Sequence, residues 1–529
     1  EAPAGDAAEL RSAAGKVLAR MTDAQLTAGQ RAFLRSRPLA ALRRSLEPWA
    51  AGPVRLDILA AVLERYESTG SMRYAKAIAQ HALRLQWSGT PEHLALAAHL
   101  NRVYRQPNLR LAVTGEFMNR LVPEPQPMTA PVRDRVGGAD IRGRSHTTTD
   151  LSVRLLPDEQ SWRIALAAKG NVRSRTYSDT WPARVKNAGR LHFDATKEIV
   201  LTPAGLAAKP TSAKVQGRNR MVGVDSEFDP IPLLGTLVRN IARQKHDRNR
   251  AAALAQVKSK VARAAKSRLD EATGEKLDDL EANFRAKVLA PLEQLALEAD
   301  PVDMFTTEKR AVMRLRMAGE QQLGAHTPRP SAPSDSLMSV QTHESSINNA
   351  IEGLGLDGRR LAATELYEVL SKKLTGAAVE LPEGLSKRTR IEFAKHDAVR
   401  IAYQDDRLEL LLSIAELARG RDRIRDFQVH AFYEPVIEGM KIDLVRHGTL
   451  QFSGPRLRTG PRVALHSVFG KLLHKAHAIT ILNEQVENDP RLDGLMVTQL
   501  VIDDGWLAVA LGPAHPSRLA WRTRVPKLL

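Results

Sequence analysis

"NLRLAVTGEFMNRLV", residues 108–122, and "SLMSVQTHESSINNAI", residues 336–351, follow one pattern. Placing Asn348 on Asn119 puts Ile347 on Met118, His343 on Thr114 and Val340 on Leu111. Each stretch first alternates apolar and polar residues, as a strand with one buried face does. Each then shifts to helical spacing behind a polar residue suited to cap a helix. Each precedes a β-rich region. The order strand, helix, antiparallel meander, amphipathic helix thus occurs twice, and the expectation is one module in two copies.

The rest of the chain sets bounds on this reading. At 529 residues it exceeds one ordinary core. A hydrophobic content of 43% and a charged content of 26% belong to a folded protein, and 5% aromatics mean aliphatic cores. There is no cysteine, which excludes disulfides, thiolate metal sites and cysteine nucleophiles. No apolar run reaches the length of a membrane span. The start "EAPAGDAAEL" suits a mature chain after removal of an export signal, or a trimmed one. Export to the periplasm or cell envelope is therefore the expectation. A formal charge of +18 points to an anionic partner, either an anionic lipid or membrane surface or an acidic protein. The plainer alternative is a generally basic surface.

Outward from the paired stretches, residues 1–106 read as an α-helical domain. "MTDAQL" offers Thr22 and Gln25 as a capping box, and "SGTPEHL" offers Thr90 as cap with Pro91 in the first turn. Residues 107–330 form the first module. Its strands alternate Leu151, Val153, Leu155, then Trp162, Ile164, Leu166, Ala168, then Leu191 and Phe193. A long charged helix is expected over 231–299. Residues 331–529 form the second module, with hairpins turning at Gln404-Asp405-Asp406 and Asp503-Asp504-Gly505. The fold class is α+β: an all-helical N-terminal domain followed by two antiparallel curved-sheet modules packed with long helices.

Gly353, Gly355 and Gly358 spell G-x-G-x-x-G, the spacing of a dinucleotide fingerprint. That fingerprint needs a strand directly before its first glycine. Here "ESSINNAIEG" reads as a helix, so the glycines are expected to end it and turn into the next helix, "RRLAATELYEVL". No cofactor is expected.

A strand and helix opening, a curved antiparallel sheet and a long helix against its apolar face resemble the tubular lipid-binding superfamily. That group contains the bactericidal/permeability-increasing proteins and bacterial envelope relatives. The resemblance covers residues 107–529 and rests on architecture. It implies an apolar tube that shelters acyl chains, with no catalytic residues to transfer.

The residues offer two constellations for such a role. One is an apolar lining of Leu151, Val153, Leu155, Trp162, Ile164, Leu166, Leu408, Leu410 and Leu412, for which an ordinary sheet–helix core is the simpler account. The other is the basic helix, where Arg239, Arg243, Lys245, Arg248, Arg250, Lys258, Lys260 and Arg263 would face anionic head groups. Solubility of a long helix is the simpler account of those. Nucleic acid is disfavoured, because this stretch lacks aromatics for base stacking. His474 and His477 have helical spacing, but Lys471 and Lys475 beside them would repel a cation, so no metal is expected. The function expected is non-enzymatic binding or transfer of anionic amphiphiles at the bacterial envelope. The alternative is a scaffold with solid cores and no ligand.

Overall fold

The computed structural model describes residues 4–514 except 24, 35, 51–53, 89, 137–138, 203–204, 285–298, 320, 368–388, 421, 456, 458, 476–477 and 483–487. His477 thus lies outside the described residues. Among the described residues no group of three acidic or histidine side chains is placed to hold a metal ion. None of the helices there is long and apolar enough to cross a membrane.

Six helices open the chain: α1 (Ala4–Met21), α2 (Ala28–Leu34), α3 (Arg37–Ala50), α4 (Leu56–Thr69), α5 (Met72–Ser88) and α6 (Pro91–Tyr104). Strand β1 (Leu109–Thr114) and helix α7 (Gly115–Arg120) then lead into β2 (Met128–Val136), β3 (Ala139–Leu156), β4 (Trp162–Thr180), β5 (Ala183–Thr202), β6 (Gly205–Ala208) and β7 (Ser212–Ser226). The long helix α8 (Pro232–Phe284) follows, at 1.5 Å per residue roughly 80 Å of helix. Beyond it come β8 (Ala299–Thr306), β9 (Arg310–Met317), β10 (Met338–His343), α9 (Glu344–Glu352), β11 (Arg360–Ala362), β12 (Thr389–Phe393), β13 (Val399–Gln404), β14 (Arg407–Arg419), β15 (Asp422–Glu438) and β16 (Lys441–Ser453). Helix α10 (Thr459–Leu472) and strands β17 (Ile479–Leu482), β18 (Leu495–Asp503) and β19 (Trp506–Pro513) complete it. The fold is α+β, with antiparallel strands in curled half-barrel sheets after a helical N-terminal region.

The chain forms two compact units. Unit two holds Val113–Phe284 and Met304–Val312; unit one holds Glu1–Ala112, Arg285–Asp303 and Met313–Leu529.

In unit two, β2-β3-β4-β5-β6 run side by side, with β7 also paired to β5. The register sets Val153 opposite Leu166 and Leu151 opposite Ala168, with Ala168 opposite Ala195 and Phe193 opposite Val215. The alternating apolar residues therefore share one face. Helix α8 covers that face with Val261, Ala265 and Leu269, spaced four apart, against Leu151, Leu166, Ala168, Phe193 and Ala195. Two ion pairs flank this contact. Lys197 of β5 donates to Asp270 at 2.7 Å, and Lys260 of α8 donates to Asp134 of β2.

In unit one, β14, β15 and β16 carry a core that includes Ile391, Phe393, Tyr403, Leu408, Leu412, Val429 and Phe469, none more than 3% exposed. Phe469 of α10 meets Phe427 and Phe452 in ring contacts. A six-stranded sheet has the order β18-β19-β10-β1-β9-β8, and the unit boundaries along the chain fall within β1, β8 and β9. The N-terminal helices pack among themselves and on Leu323. They also bond to the second meander: the Asp397 carboxylate accepts from Met72 N at 2.7 Å and from Ser71 Oγ, and Arg400 donates to the Thr69 carbonyl.

The two paired stretches do the same work in their own units. Thr114 Oγ1 caps α7 by accepting from Phe117 N, and His343 Nδ1 caps α9 by accepting from Ser345 N. Asn119 then grips Val153: its Oδ1 accepts from Val153 N at 2.6 Å and its Nδ2 donates to Val153 O at 2.8 Å. Asn348 grips Ile401 in the same manner, both bonds 2.8 Å. The aligned asparagines thus pin each opening helix to a strand of its own meander, β3 in one and β13 in the other.

Several local expectations need adjustment. The capping box belongs to Thr27 and Gln30, where Thr27 N donates to Gln30 Oε1 at 2.8 Å and Gln30 N to Thr27 Oγ1 at 3.3 Å. Thr22 instead ends α1, its hydroxyl returning to Leu18 O. Thr90 occupies the N-cap of α6 with Pro91 following, but its hydroxyl makes no capping bond. Gly353 ends α9 and Gly355 and Gly358 take positive φ, as turns require. The turn leads first into strand β11 rather than a helix, because Arg360–Ala362 find partners in Arg390–Glu392. Residues expected in the 231–299 helix beyond Phe284 lie outside the described residues up to 298, and Ala299 begins β8.

Both predicted Asp turns are two-residue hairpin loops with both φ positive: Asp405 and Asp406 in one, Asp504 and Gly505 in the other. Each loop bonds the end of a strand in the other hairpin. Asp406 N donates to Ile502 O, and Gly505 N donates to Tyr403 O.

Candidate functional site

The expected apolar lining divides between the units. In unit two, Leu151 and Leu166 are half-buried and packed with Leu269 of α8. Trp162 is buried, its indole N–H donating to Val312 O at 2.7 Å. Leu155 is buried beside Gly115, while Val153 and Ile164 are half-buried. Leu408 and Leu412 belong to the core of unit one, with Leu410 half-buried between them.

The expected head-group residues all lie on α8, in different settings. Arg239 is held by Asp229, and Lys260 by Asp134. Lys258 is half-buried, whereas Arg243, Lys245, Arg248, Arg250 and Arg263 are exposed.

Sequence reasoning missed the apolar surface just ahead of them. Leu233, Leu237 and Ile241 stand four residues apart on α8 and are 87%, 56% and 56% exposed. Leu234 and Ile231 are also exposed. Trp181, in the turn between β4 and β5, is 77% exposed. It meets Phe228 edge-on, with ring centroids 6.4 Å apart, and donates to Glu227 Oε2 at 2.9 Å. This tip is a built structure. Ser226 N donates to Asp229 Oδ2 and Phe228 N to Ser226 Oγ, folding residues 226–229 into a turn. Helix α8 passes so close over that turn that a Cβ on Gly235 would lie 2.7 Å from Phe228 O. Only glycine fits there.

Amphipathic spacing alone hid the tip, since a stripe at every fourth residue ordinarily signals burial. The usable signal was local: "FDPIPLLGTL" places two prolines and a glycine among five large apolar residues, a poor sequence for a core helix.

Chemically, the tip pairs about half a dozen exposed apolar side chains with a collar of exposed cations, Arg243, Lys245, Arg248 and Arg250. Its acids are largely engaged: Asp229 by Arg239, Asp179 by Arg184 and Asp225 by Lys186.

No protein-family model matches the chain, and no curated protein matches it. Among solved structures it is similar to one described as the crystal structure of lipopolysaccharide binding protein, at 10% identity, over 78% of this chain and 99% of that chain. The TM-score of 0.27 makes this a weak likeness of fold.

Proposed function

We propose that this protein binds anionic amphiphiles at the bacterial envelope without catalysing a reaction, docking on a lipid surface through the tip of unit two. The observation that supports this reading is the exposed stripe Leu233–Leu237–Ile241 beside Trp181, followed along α8 by four exposed cations. An apolar side chain of this size gains about 1.5–3 kcal/mol when fully buried. A cation near an anionic bilayer adds roughly 1 kcal/mol, and salt screens that part. Trp181 suits the polar–apolar boundary, having an apolar body and an N–H donor. Acyl chains are assigned to this tip, since Leu151 and Leu166 already pack against α8.

The test is sedimentation with phosphatidylglycerol vesicles against phosphatidylcholine vesicles. The wild type is expected to prefer the anionic vesicles. A Leu233→Ser, Leu237→Ser, Ile241→Ser variant should bind them at least tenfold more weakly with an unchanged melting temperature, because these side chains are already exposed. Equal binding by variant and wild type would refute the reading and favour the ligand-free scaffold.

A further inference from the structure

The face of the unit-two sheet that α8 does not cover carries a second feature. At the end of the sheet nearest the β4–β5 turn lies an open hollow of about 1750 Å³, lined by β2, β3, β4, β5 and β7 and by no residue of α8. Ten arginines and one lysine line it, against two aspartates. Of those, Asp134 pairs with Lys260 of α8, and Asp140 pairs with Arg135. Arg184 and Lys186 also have acidic partners, Asp179 and Asp225. Among the described residues the other eight arginines have none.

The register opposes these arginines directly. Arg133 faces Arg142, Arg144 faces Arg175, and Arg173 faces Arg190, which in turn faces Arg218. Like charges opposite one another across a ladder disfavour the sheet. A solvated face gains nothing from that arrangement, whereas an anion laid across the strands removes the repulsion. The bias toward arginine is chemical as well: a guanidinium meets a carboxylate, sulfate or phosphate with two parallel bonds, which an ammonium cannot do. Helix α8, by contrast, mixes six arginines with four lysines over residues 239–268.

We infer that this face binds an acidic polysaccharide, a chain whose repeating units carry carboxylate or sulfate. Cations in successive strands stand about 4.8 Å apart, so they meet a linear polyanion group by group. Tyr177 is the one six-membered aromatic in the lining, and Arg184 covers its ring at 5.0 Å. The face therefore offers no stacking platform for bases, and nucleic acid is the poorer occupant. This site is separate from the lipid-docking tip and does not depend on it.

The experiment titrates full-length protein with fluorescently labelled polygalacturonate and dextran sulfate, with neutral dextran as blank. Arg173→Gln, Arg190→Gln, Arg218→Gln should weaken binding at least tenfold and lower the slope of log Kd against log[NaCl] by about 2–3. The control, Arg243→Gln, Arg248→Gln, Arg250→Gln, removes the same charge from α8. It should leave polysaccharide binding within twofold while weakening attachment to phosphatidylglycerol vesicles. Thermal melts confirm folding; should the first variant melt early, Arg144→Gln, Arg175→Gln tests the neighbouring row. Equal loss in both triple variants would reduce the effect to net charge and overturn the proposal. So would tighter, face-dependent binding of single-stranded DNA, or vesicle binding that needs the sheet arginines while neither polysaccharide binds. Wild-type protein that binds the polysaccharides but not phosphatidylglycerol vesicles would count against the lipid-docking reading alone.

Discussion

Asn348 and Asn119 hold the backbone of a following strand in the same two-bond grip, yet Asn348 is 4% exposed while Asn119 lies at the surface. The contrast extends through what each grip supports. Behind Ile401, unit one packs Leu408, Leu412, Val429 and Phe469 with almost no exposure. Behind Val153, unit two leaves Leu151 and Leu166 half-buried under one helix and turns an arginine-covered face outward. One architectural opening therefore serves two ends. In unit one it closes an interior; in unit two it steadies a sheet whose surfaces remain open for contact.

The sharpest way to break this contrast is in the unit-one core. Phe469→Ala should cost about 3–5 kcal/mol of unit-one stability, because a fully buried aromatic leaves a cavity that Phe427 and Phe452 cannot fill. Leu166→Ala in unit two should cost distinctly less. Denaturant unfolding followed by hydrogen exchange at unit-specific amides would separate the two.

Next come the asparagines themselves. Asn348→Ala strands a buried N–H and a buried C=O on Ile401, and about 2–4 kcal/mol should be lost. Asn119→Ala opens its strand to water, so less than about 1 kcal/mol is expected. Equal losses would mean that burial does not distinguish the grips.

Acid should weaken unit one through His343. Burial holds its imidazole well below the ordinary histidine range, to about 3, and neighbouring His326 adds to that. Between pH 6.5 and about 3 the unfolded chain therefore binds a proton that the folded chain refuses, and stability falls as pH falls through this window. The slope approaches roughly 1.4 kcal/mol per pH unit. Adjacent Glu344 has the opposite sign: burial raises its carboxyl, so its contribution is present at low pH and fades as pH rises. Melting curves are best read in Glu344→Gln, whose amide oxygen keeps the bond from Tyr403 N–H. In that background His343→Asn should flatten the pH slope.

The smallest expected effect lies under α8. Asp270→Asn leaves the buried Lys197 ammonium without its carboxylate and Thr211 without a charged acceptor, which should cost about 1 kcal/mol of unit-two stability. No change in a unit-two melt would show that water replaces the carboxylate freely.

Much of this architecture was legible because it obeys spacing rules. The shift from period two to period 3.6 located the strands and α8, the Asp-Asp and Asp-Gly pairs located the hairpins, and the Asn119–Asn348 match located the duplicated grip. The surfaces were harder to see. Arginine at alternate positions, as in "IRGRS", "VRSRT" and "GRNRM", reads as the outer side of any strand; opposition appears only once the register is known. The exposed stripe at the start of α8 was obscured for the converse reason, since periodicity reports which side of a helix is apolar and not whether anything covers it. Thr22 and Gln25 showed that a capping pattern can recur a few residues from where the helix begins.

The linked hairpin loops have a consequence for biogenesis. Asp406 is bonded to Ile502 and Gly505 to Tyr403, each bond closing about a hundred residues of chain. β19, which pairs with β10, is translated well after the strands and helix of unit two. Unit one thus stays unfinished until β19 has been made, whereas unit two, apart from the short segment Met304–Val312, is already complete by Phe284. A product cut short before β19 should expose the β10 edge to other chains, a defect the cell's folding machinery would notice.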